Sequence, residues 1–439
     1  MFDFLKYIQP ANYYRFVNFM PHAVLVYDSG SITGLKNIYS DVDTAKLDVL
    51  YQSIQSGKIP SNKQNRNPLQ DSIITNVKDN YIFIRRFFSP VQFIYVLIVR
   101  IFSFKNPLFE LYAFFNALIT SKRVSIEPQN YNDWNTFESI LINENPLVSV
   151  IIPTLNRYEY LKDVLADLEL QDYQNFEVIV VDQSEPVDAK FYEGWNLKIQ
   201  LIQQEEKALW LARNKAIKTS IGEYILLFDD DSRIQSDWIT NHFKCLDFFN
   251  VQISAGVTHT LVGGGLGKKD AYFHLSDVFD TGNAMVHRSV FENVGLFDRQ
   301  FEKQRMGDSE FGLRSLLGGY NIISNPYSKR IHLKVETGGL RQMGSWDALR
   351  PKSLFAPRPV PSVLYLIRKY HGNQEALYYL IKNIPQSYMP YKFKKNKIMR
   401  LTYSFIFPLF VPIAFLAVYQ SWKMASIKIN EGSLIDKLN

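Results

Sequence analysis

The sequence predicts an α/β fold whose core is a parallel sheet flanked by helices. Residues 148–153 and 176–182 form two apolar runs with the length and β-branched content of buried strands. Between them, apolar residues recur at helical spacing on one face, from Leu161 to Leu168. A strand, a helix and a second strand over about thirty residues make a βαβ unit, and such a crossover implies parallel strands.

Length and composition fit a chain of several regions. With 439 residues and 46% hydrophobic content, the chain holds about two to three domains and a real core. We predict an N-terminal accessory region over 1–145 that is partly helical, with a polar loop at 51–68. The α/β domain follows over 146–345. A helical and membrane-associated region completes the chain over 346–439.

Cysteine usage and the first residues favour a cytoplasmic protein. Cys245 is the single cysteine, which argues against a disulfide scaffold and against a cysteine-based metal site, and which fits a reducing cytosol. Residues 1–4 lack the basic start and the apolar core of a secretory signal. The formal net charge of +6 is modest, and we expect no nucleic-acid partner.

Two apolar stretches raise the question of membrane contact. Residues 401–419 carry no formal charge and follow a basic cluster over 392–400, but Pro408 and Pro412 interrupt the helix. We expect this segment to anchor peripherally on the inner face of the membrane, with a packed internal helix pair as the alternative. Residues 87–101 are too short to span and predict either an amphipathic membrane helix or core.

The acidic cluster Asp229, Asp230 and Asp231 directly follows a third predicted buried strand, at 224–228. Three acids at a strand end repel one another unless a cation or hydrogen-bond donors compensate. Carboxylates at positions i and i+2 suit Mg²⁺ or Mn²⁺, which bind one or two carboxylates together with substrate phosphates. A solvated acidic turn is the competing interpretation.

The predicted sheet edge carries further polar residues. In open α/β sheets, ligands bind beyond the carboxyl ends of the strands, where Thr154, Asp182 and the acidic cluster all fall. An acid after the second strand is placed to accept from a ribose hydroxyl or a base N–H. Arg213 and Asn214, on a predicted helix, are available for a base or a diphosphate, or belong to a solvated helix face. No G-x-G-x-x-G or Walker loop accompanies this edge.

The second half of the α/β region adds isolated candidates. A strand is predicted at 281–286, and Asp308 precedes a predicted helix, a position that is usually a cap. His332 follows a last predicted strand at 320–323; taken alone it is more often an ordinary residue than a ligand. The glycines at 263–265 make a loop that is either a substrate lid or an ordinary surface loop.

In order, these pieces resemble glycosyltransferase family 2, the inverting class with the GT-A fold. The resemblance covers residues 147 to about 335 and depends on a series of motifs. They are Val-Ser-Val-Ile-Ile-Pro-Thr-Leu-Asn-Arg, Val-Ile-Val-Val-Asp, Ala-Arg-Asn, Phe-Asp-Asp-Asp, Gly-Leu-Phe-Asp, Gly-Asp-Ser-Glu-Phe-Gly-Leu-Arg and a closing His. Each motif is weak alone, whereas the series in this order is specific.

The resemblance implies a mixed, Rossmann-like sheet and a set of roles. It implies Mn²⁺ or Mg²⁺ held by Asp229, Asp231 and His332, with Asp308 as catalytic base. It places the nucleoside at Thr154 and Asp182, the donor sugar at Gly282 and Asn283, and the acceptor at Phe297 and Asp298. We add Arg213, Asn214 and Asp230 as further contacts to the nucleotide sugar. The implied partners are a nucleotide-diphosphate sugar, a glycan or lipid-linked acceptor of cell-envelope polysaccharide synthesis, and a membrane surface.

Two departures from the family pattern and two rival functions accompany this hypothesis. The family often has Glu where this chain has Gly307, and a glycine near Ala208. The Gln-x-x-Arg-Trp signature of processive synthases is absent at 342–346, which favours a single addition.

A catalytically silent carbohydrate- or nucleotide-binding module is one rival function. A sugar nucleotidyltransferase is the other, although it would be expected to show a glycine-rich phosphate loop after its first strand.

Overall fold

The protein is described here from a computed structural model. It describes residues 2–9, 34–35, 37–59, 75–260, 267–276, 279–335, 339, 348–351, 353–390, 393 and 396–438. The chain divides into two compact units. The helical unit comprises 1–128 and 347–426, and the sheet unit comprises 129–346 and 427–439. The predicted division into an accessory region, an α/β domain and a C-terminal helical region remains a proposal.

The first part of the helical unit is a set of five short helices, four of which have a side-chain cap at the N-terminus. They are α1 (Leu5–Ile8), α2 (Val42–Ser56), α3 (Val77–Phe87), α4 (Pro90–Phe102) and α5 (Pro107–Thr120). Asp41, Asn76, Ser89 and Asn106 each cap the helix that follows, because their side chains accept from its first N–H groups. The loop predicted at 51–68 is wrong for its first six residues, which continue α2, and its stretch 60–68 lies outside the described residues.

In the sheet unit, nine strands of the described residues form one sheet. The first four are β1 (Val148–Thr154), β2 (Phe176–Asp182), β3 (Ile199–Gln203) and β4 (Tyr224–Phe228). The others are β5 (Ser232–Ile234), β6 (Ile253–Thr260), β7 (His274–Leu275), β8 (Asn283–His287) and β9 (Ile322–His332). Their order is β3-β2-β1-β4-β8-β6-β9-β5, and β7 pairs with β9.

The strand directions confirm the predicted α/β fold with a mixed sheet. β1 lies parallel to β2 and β4, and β2 lies parallel to β3, whereas β8 runs antiparallel to both β4 and β6. The register pairs Thr154 with Asp182 at the ends of β1 and β2. The carboxyl ends of the parallel strands therefore meet at one edge, as expected for a ligand-binding sheet of this kind.

Helices flank this sheet, and all but the short α6 bury apolar residues. They are α6 (Ile140–Glu144), α7 (Tyr158–Glu169), α8 (Leu209–Thr219), α9 (Trp238–Phe249), α10 (Arg288–Val294) and α11 (Gly307–Leu317). Leu161, Val164, Leu165 and Leu168 of α7 are all fully buried, as the helical spacing predicts. Since β1, β2 and β4 are buried along almost their whole length, their residues form the centre of this core.

The second part of the helical unit continues into the end of the chain. It contains α12 (Pro361–His371), α13 (Asn373–Ser387), α14 (Lys397–Ile406) and α15 (Val411–Glu431), whose last residues belong to the sheet unit. The predicted interruption at Pro408 is present as a 3₁₀ turn between α14 and α15. No helix formed by the described residues has both the length and the apolar character to cross a bilayer. Lys392, Lys394 and Lys395 of the basic cluster lie outside the described residues.

Candidate active site

A cavity of about 400 Å³ opens at the carboxyl ends of β1 and β4. Six of the residues selected from the sequence line it: Arg213, Asp229, Asp230, Asp231, Asp308 and His332. The cavity also contains charged residues that had no assigned role: Arg157, Asp280, Lys303, Arg305, Arg330 and Lys334. The sheet edge thus brings together acidic and basic side chains from segments that are far apart in the sequence.

The cluster of Asp229, Asp231 and His332 is built by two strand ends. β4 ends at Phe228, and the chain returns at once as β5, which pairs antiparallel with β9 and sets Ser232 opposite His332. The Leu333 backbone N–H donates to the Asp231 carbonyl at 2.9 Å. His332 Nε2 lies 3.1 Å from Asp231 Oδ1, and one ligand atom from each of the three residues lies within 4.8 Å of the others. The predicted metal residues are therefore adjacent.

Two arginines compensate the charge of Asp229. Arg213 Nη2 donates to Oδ1 at 2.7 Å, and Arg330 Nη1 donates to Oδ2 at 2.8 Å. Burial opposes ionisation of this carboxyl, but Arg330 and Arg213 outweigh burial and hold its pKa well below the ordinary value. The repulsion expected among three strand-end acids is thus relieved by cationic side chains of the protein.

Asp230 and Asp231 share a third arginine. Arg157 Nη1 donates to Asp230 Oδ1 at 3.0 Å and to Asp231 Oδ2 at 3.1 Å, while the Thr154 hydroxyl donates to Asp230 Oδ2 at 2.8 Å. Burial raises the pKa of Asp230 to about 6, although Arg157 works against it. The predicted nucleoside contact Thr154 therefore uses its hydroxyl to hold this acid.

Asp182 lies at the end of β2 and is closed in by hydroxyl groups. Its Oδ2 accepts from the Tyr158 hydroxyl at 2.6 Å and from the Tyr192 hydroxyl at 2.8 Å, and its Oδ1 accepts from the Ser184 backbone N–H at 2.9 Å. It is fully buried and does not belong to the cavity lining. Its role at the nucleoside stays a prediction.

Four other predicted contacts have buried side chains: Asn214, Asn283, Phe297 and Asp298. The Asn214 amide donates to the Phe297 carbonyl, and its oxygen accepts from the Phe297 N–H, both at 2.9 Å. Asp298 accepts from the backbone N–H groups of Gln300 and Leu434. Asn283 accepts from Trp238 Nε1 at 2.8 Å and donates to the carbonyls at 257 and 328. None of the four lines the cavity, so their contacts to donor and acceptor stay predictions.

Gly282 allows a close approach in the charged cluster. A Cβ atom at this position would lie 2.0 Å from Arg330 Nη1 and 2.2 Å from Asp229 Oδ2. Any side chain would therefore separate this ion pair. The structure gives Gly282 a clear packing role beside Asp229, whereas its predicted contact to the donor sugar stays a prediction.

Asp308 lies in the first turn of α11, with Met306 rather than Asp308 at the N-cap. Its Oδ1 accepts from the Ser309 backbone N–H at 2.7 Å. A Cβ at the preceding Gly307 would lie 2.3 Å from the indole of Trp210, so the glutamate common at this position in the family has no room here. Trp210 is itself anchored by its Nε1–H, which donates to the Phe301 carbonyl at 3.0 Å.

Asp280, another carboxylate of the cavity, contrasts with Asp308. Arg330 Nη2 donates to both of its oxygens, at 3.0 and 3.1 Å, and the Gly282 N–H donates to Oδ1. Burial works to raise the pKa of Asp280, but Arg330 outweighs it and the net shift is downward. For Asp308, burial and then the nearby Asp280 charge raise the pKa. The two acids thus differ in their readiness to accept a proton.

The sequence offered partial signals for the residues it missed. Arg157 ends the first motif, three positions after Thr154, and Arg330 precedes His332 by two positions on one strand, so both point to the same face. Asp280 had no signal beyond its position two residues before Gly282. The glycines at 263–265 and the residues 342–346, where the processive signature is absent, lie outside the described residues.

Comparison with known proteins identifies the family. The family model for glycosyl transferase family 2 matches residues 149–295. The teichuronic acid biosynthesis glycosyltransferase TuaG of Bacillus subtilis is 30% identical over 215 residues, which cover 43% of this chain and 84% of TuaG. The chain therefore belongs to glycosyltransferase family 2, as the motif series predicted.

Other similar proteins are matched over smaller parts. Glycosyltransferase GlyA of Streptococcus pneumoniae is 28% identical over 177 residues, 39% of this chain. The chain spans only 24% of the length of GlyA. Among solved structures, residues 1–349 of Staphylococcus aureus TarS in complex with UDP-GlcNAc match with a TM-score of 0.44 and 16% identity. That match covers 65% of this chain and 92% of the TarS chain.

Proposed function

We propose that this chain is a metal-dependent, inverting glycosyltransferase. It moves a single sugar from a nucleotide-diphosphate sugar to a hydroxyl of a glycan or lipid-linked acceptor. The observation that carries the proposal is the position of Asp229, Asp231 and His332, whose ligand atoms lie within 4.8 Å of one another in the cavity that Asp308 also lines. The proposed metal ligands and the proposed base therefore line the same cavity.

Arg213 supports binding of an anionic donor in this cavity. Its side chain is 1% exposed, yet among the described residues its Nε and Nη1 have no hydrogen-bond partner. Buried donors of this kind are costly when they stay unsatisfied. A diphosphate supplies charged acceptor oxygens at the distance of a normal hydrogen bond. We therefore assign Arg213 to the diphosphate, with Thr154 and Asp182 at the nucleoside side.

The chemistry of the three proposed metal ligands fits Mn²⁺ or Mg²⁺. Carboxylate oxygens and a neutral imidazole are ordinary ligands of these ions, and a diphosphate completes the coordination. Asp231 and His332 present adjacent ligand atoms, and each Asp229 oxygen keeps a second lone pair beside its arginine. When bound, such an ion neutralises the charge that develops on the leaving nucleoside diphosphate.

Of Asp280 and Asp308, the two cavity carboxylates outside the 229–231 cluster, Asp308 is the better base. Asp280 is fixed by Arg330, whereas the described residues form a single hydrogen bond to Asp308, from Ser309. A raised pKa makes a carboxylate a stronger proton acceptor. In the proposed step, Asp308 takes the proton of the acceptor hydroxyl as that oxygen attacks the anomeric carbon. The bond from this carbon to the diphosphate breaks on the opposite face, which inverts the configuration.

The acceptor class is supported by the relatives and by the missing signature of processive synthases. TuaG carries the name of an enzyme of teichuronic acid biosynthesis, which supports a role in cell-envelope polysaccharide synthesis for this chain. The absence of Gln-x-x-Arg-Trp at 342–346 supports a single addition. An acceptor attached to a lipid would bring the enzyme to the cytoplasmic face of a membrane.

A screen of nucleotide sugars tests this function. We expect Mn²⁺ or Mg²⁺ to increase the affinity for one nucleotide sugar, measured by calorimetry, and to support sugar transfer. Asp231→Ala should lower the metal-dependent affinity by roughly tenfold or more, because a charged ligand is lost. Asp237→Asn, at an exposed acid outside the cavity, is the matched control.

Two results would contradict the proposal. If the wild-type chain binds nucleotide sugars but transfers nothing to any hydroxyl acceptor, it is a silent binding module. If Asp231→Ala binds metal and nucleotide as well as the wild type does, the assignment of the metal site is wrong.

A further inference from the structure

Helices α4 and α5 form an antiparallel hairpin within the helical unit. The ring of Phe93 on α4 stacks on Phe114 of α5 at 4.2 Å, and Arg100 pairs with Glu110 near the connecting turn. The inner sides of both helices are buried, and the Tyr81 hydroxyl of α3 donates to Glu110 at 2.7 Å. The charged pair of the hairpin is thereby satisfied inside the unit.

The outer side of the hairpin is apolar and exposed. On α4 the exposed apolar positions are 91, 94, 98 and 102, which follow helical spacing on one stripe. On α5 a matching stripe includes 108, 111, 115, 118 and 119. Phe104 in the turn is 99% exposed, and Phe102 and Leu108 beside it are 80% and 79% exposed. Since the helices are neighbours, the stripes form one apolar face about 20 Å long.

The exposed charges of the hairpin and of the chain beside it are basic up to residue 125, and the first exposed acid after the hairpin is Glu127. Among residues 75–125, the acids are Asp79 and Glu110, and both are buried. The exposed charges in this range are Lys105 in the turn and Lys122 and Arg123 at the other end of the hairpin, whereas Lys78 and Arg85 are half-buried. The apolar face is therefore bordered by positive charge at both ends, which complements an anionic surface.

We propose that this face docks on an anionic lipid bilayer, with the hairpin lying along the interface. A face of apolar side chains with basic ends is typical of helices that lie at the surface of anionic membranes. Lys105 in the turn favours this orientation over insertion of the tip, because a charge at the bilayer centre is costly. The inference concerns lipid binding and does not depend on the transfer reaction.

Sedimentation with vesicles tests the proposal on the full chain without donor or acceptor. We expect binding to vesicles of phosphatidylcholine and phosphatidylglycerol, and weaker binding without phosphatidylglycerol or at high salt. The triple variant Phe102→Ser, Leu108→Ser and Phe115→Ser should lower vesicle affinity by roughly tenfold or more. All three side chains are mostly exposed, so the fold should be retained and confirmed by circular dichroism.

A matched variant separates a specific face from apolar surface in general. Leu170→Ser, Ile221→Ser and Leu317→Ser remove exposed apolar side chains from the sheet unit, and vesicle affinity should be unchanged. Lys122→Glu with Arg123→Glu should remove the preference for anionic vesicles. Calorimetry of nucleotide-sugar binding tests the proposed function separately. A loss of vesicle binding with intact nucleotide-sugar binding concerns the apolar face alone, and the reverse result concerns the proposed function alone.

Two outcomes would overturn the inference. Equal vesicle binding by the hairpin triple variant and the wild type would show that another surface carries the affinity. A lipid-free wild-type dimer that the triple variant converts to a monomer, measured by light scattering, would assign the face to a second copy of the chain.

Discussion

The two units of the molecule place charge and apolar surface in opposite ways. The sheet unit keeps its large apolar side chains inside, leaves few exposed, and gathers buried charge around an open cavity. The helical unit exposes a continuous apolar face on α4 and α5 and nearly buries two of its ion pairs, Arg86–Asp48 and Arg100–Glu110. Buried charge alone therefore does not identify a functional site.

The hydrogen bonds of the buried arginines make the distinction. Arg100 donates to both Glu110 and Tyr7, so its charge is satisfied by the protein. Arg213 keeps two N–H groups without a partner among the described residues and faces the cavity. A buried cation with unsatisfied donors indicates a ligand, whereas a closed ion pair indicates a structural role.

The largest effect is expected at Asp308, the proposed base in the sheet unit. Asp308→Asn should lower the rate of transfer by about 10²- to 10⁴-fold while nucleotide affinity stays nearly intact, because an amide cannot accept the acceptor proton. In the wild type, activity should rise with pH through the raised pKa of Asp308, since the base must be ionised. Kinetic assays with calorimetry check both; equal activity of the variant would refute the base assignment.

In the helical unit, the buried ion pair Arg100–Glu110 should instead affect the free energy of unfolding. Arg100→Met leaves Glu110 buried without its cation and should destabilise the chain by about 3–5 kcal/mol in urea unfolding. Arg100→Met with Glu110→Leu should recover most of this loss, because no buried charge remains. Donor binding should be the same in both variants. A single variant as stable as the wild type would show that this pair is not structural.

A smaller, pH-dependent effect on stability is expected from the buried His242 of the sheet unit. It lies between the Ser254 hydroxyl at 2.9 Å and Asn283 Oδ1 at 3.1 Å, and burial lowers its pKa to about 3. The unfolded chain binds a proton at its ordinary pKa of about 6.5, so this stability is present above pH 6.5 and is lost as pH falls towards 3.

The corresponding variant isolates this contribution. Between pH 8 and pH 5, the wild type should lose about 2 kcal/mol of stability relative to His242→Gln, because glutamine does not titrate. Thermal or urea unfolding at the two pH values measures the difference. A difference between wild type and variant that does not change with pH would show that folding does not shift the pKa of His242.

Much of the sheet unit followed from local patterns. The apolar runs at β1, β2 and β4 predicted buried parallel strands, because a strand covered on both faces needs continuous β-branched residues. The acids at the ends of β2 and β4 then predicted the ligand edge. The interruption at Pro408 was equally local, since proline lacks the N–H that a helix needs.

Other features depended on contacts that no local pattern encodes. Pairing of β5 with β9 brings His332 to Asp231 across 101 positions of the chain. The arginines that hold Asp229 come from α8 and β9, and the partners of Asn214 lie 83 residues away. The buried placement of Phe297, Asp298 and Asn283 was equally invisible, because a polar or aromatic residue in a motif looks the same whether it faces a cavity or the core.

The sequence by itself determined β1, β2 and β4, the family and the acids at the ends of β2 and β4, because these depend on short-range spacing and residue chemistry. It did not predict β3, β5, β6 or β7. Only the tertiary structure decided which arginine compensates which carboxylate, which of Asp280 and Asp308 is open to accept a proton, and which side of the α4–α5 hairpin is exposed. These depend on distances between segments remote in the chain, and charge and burial act through such distances.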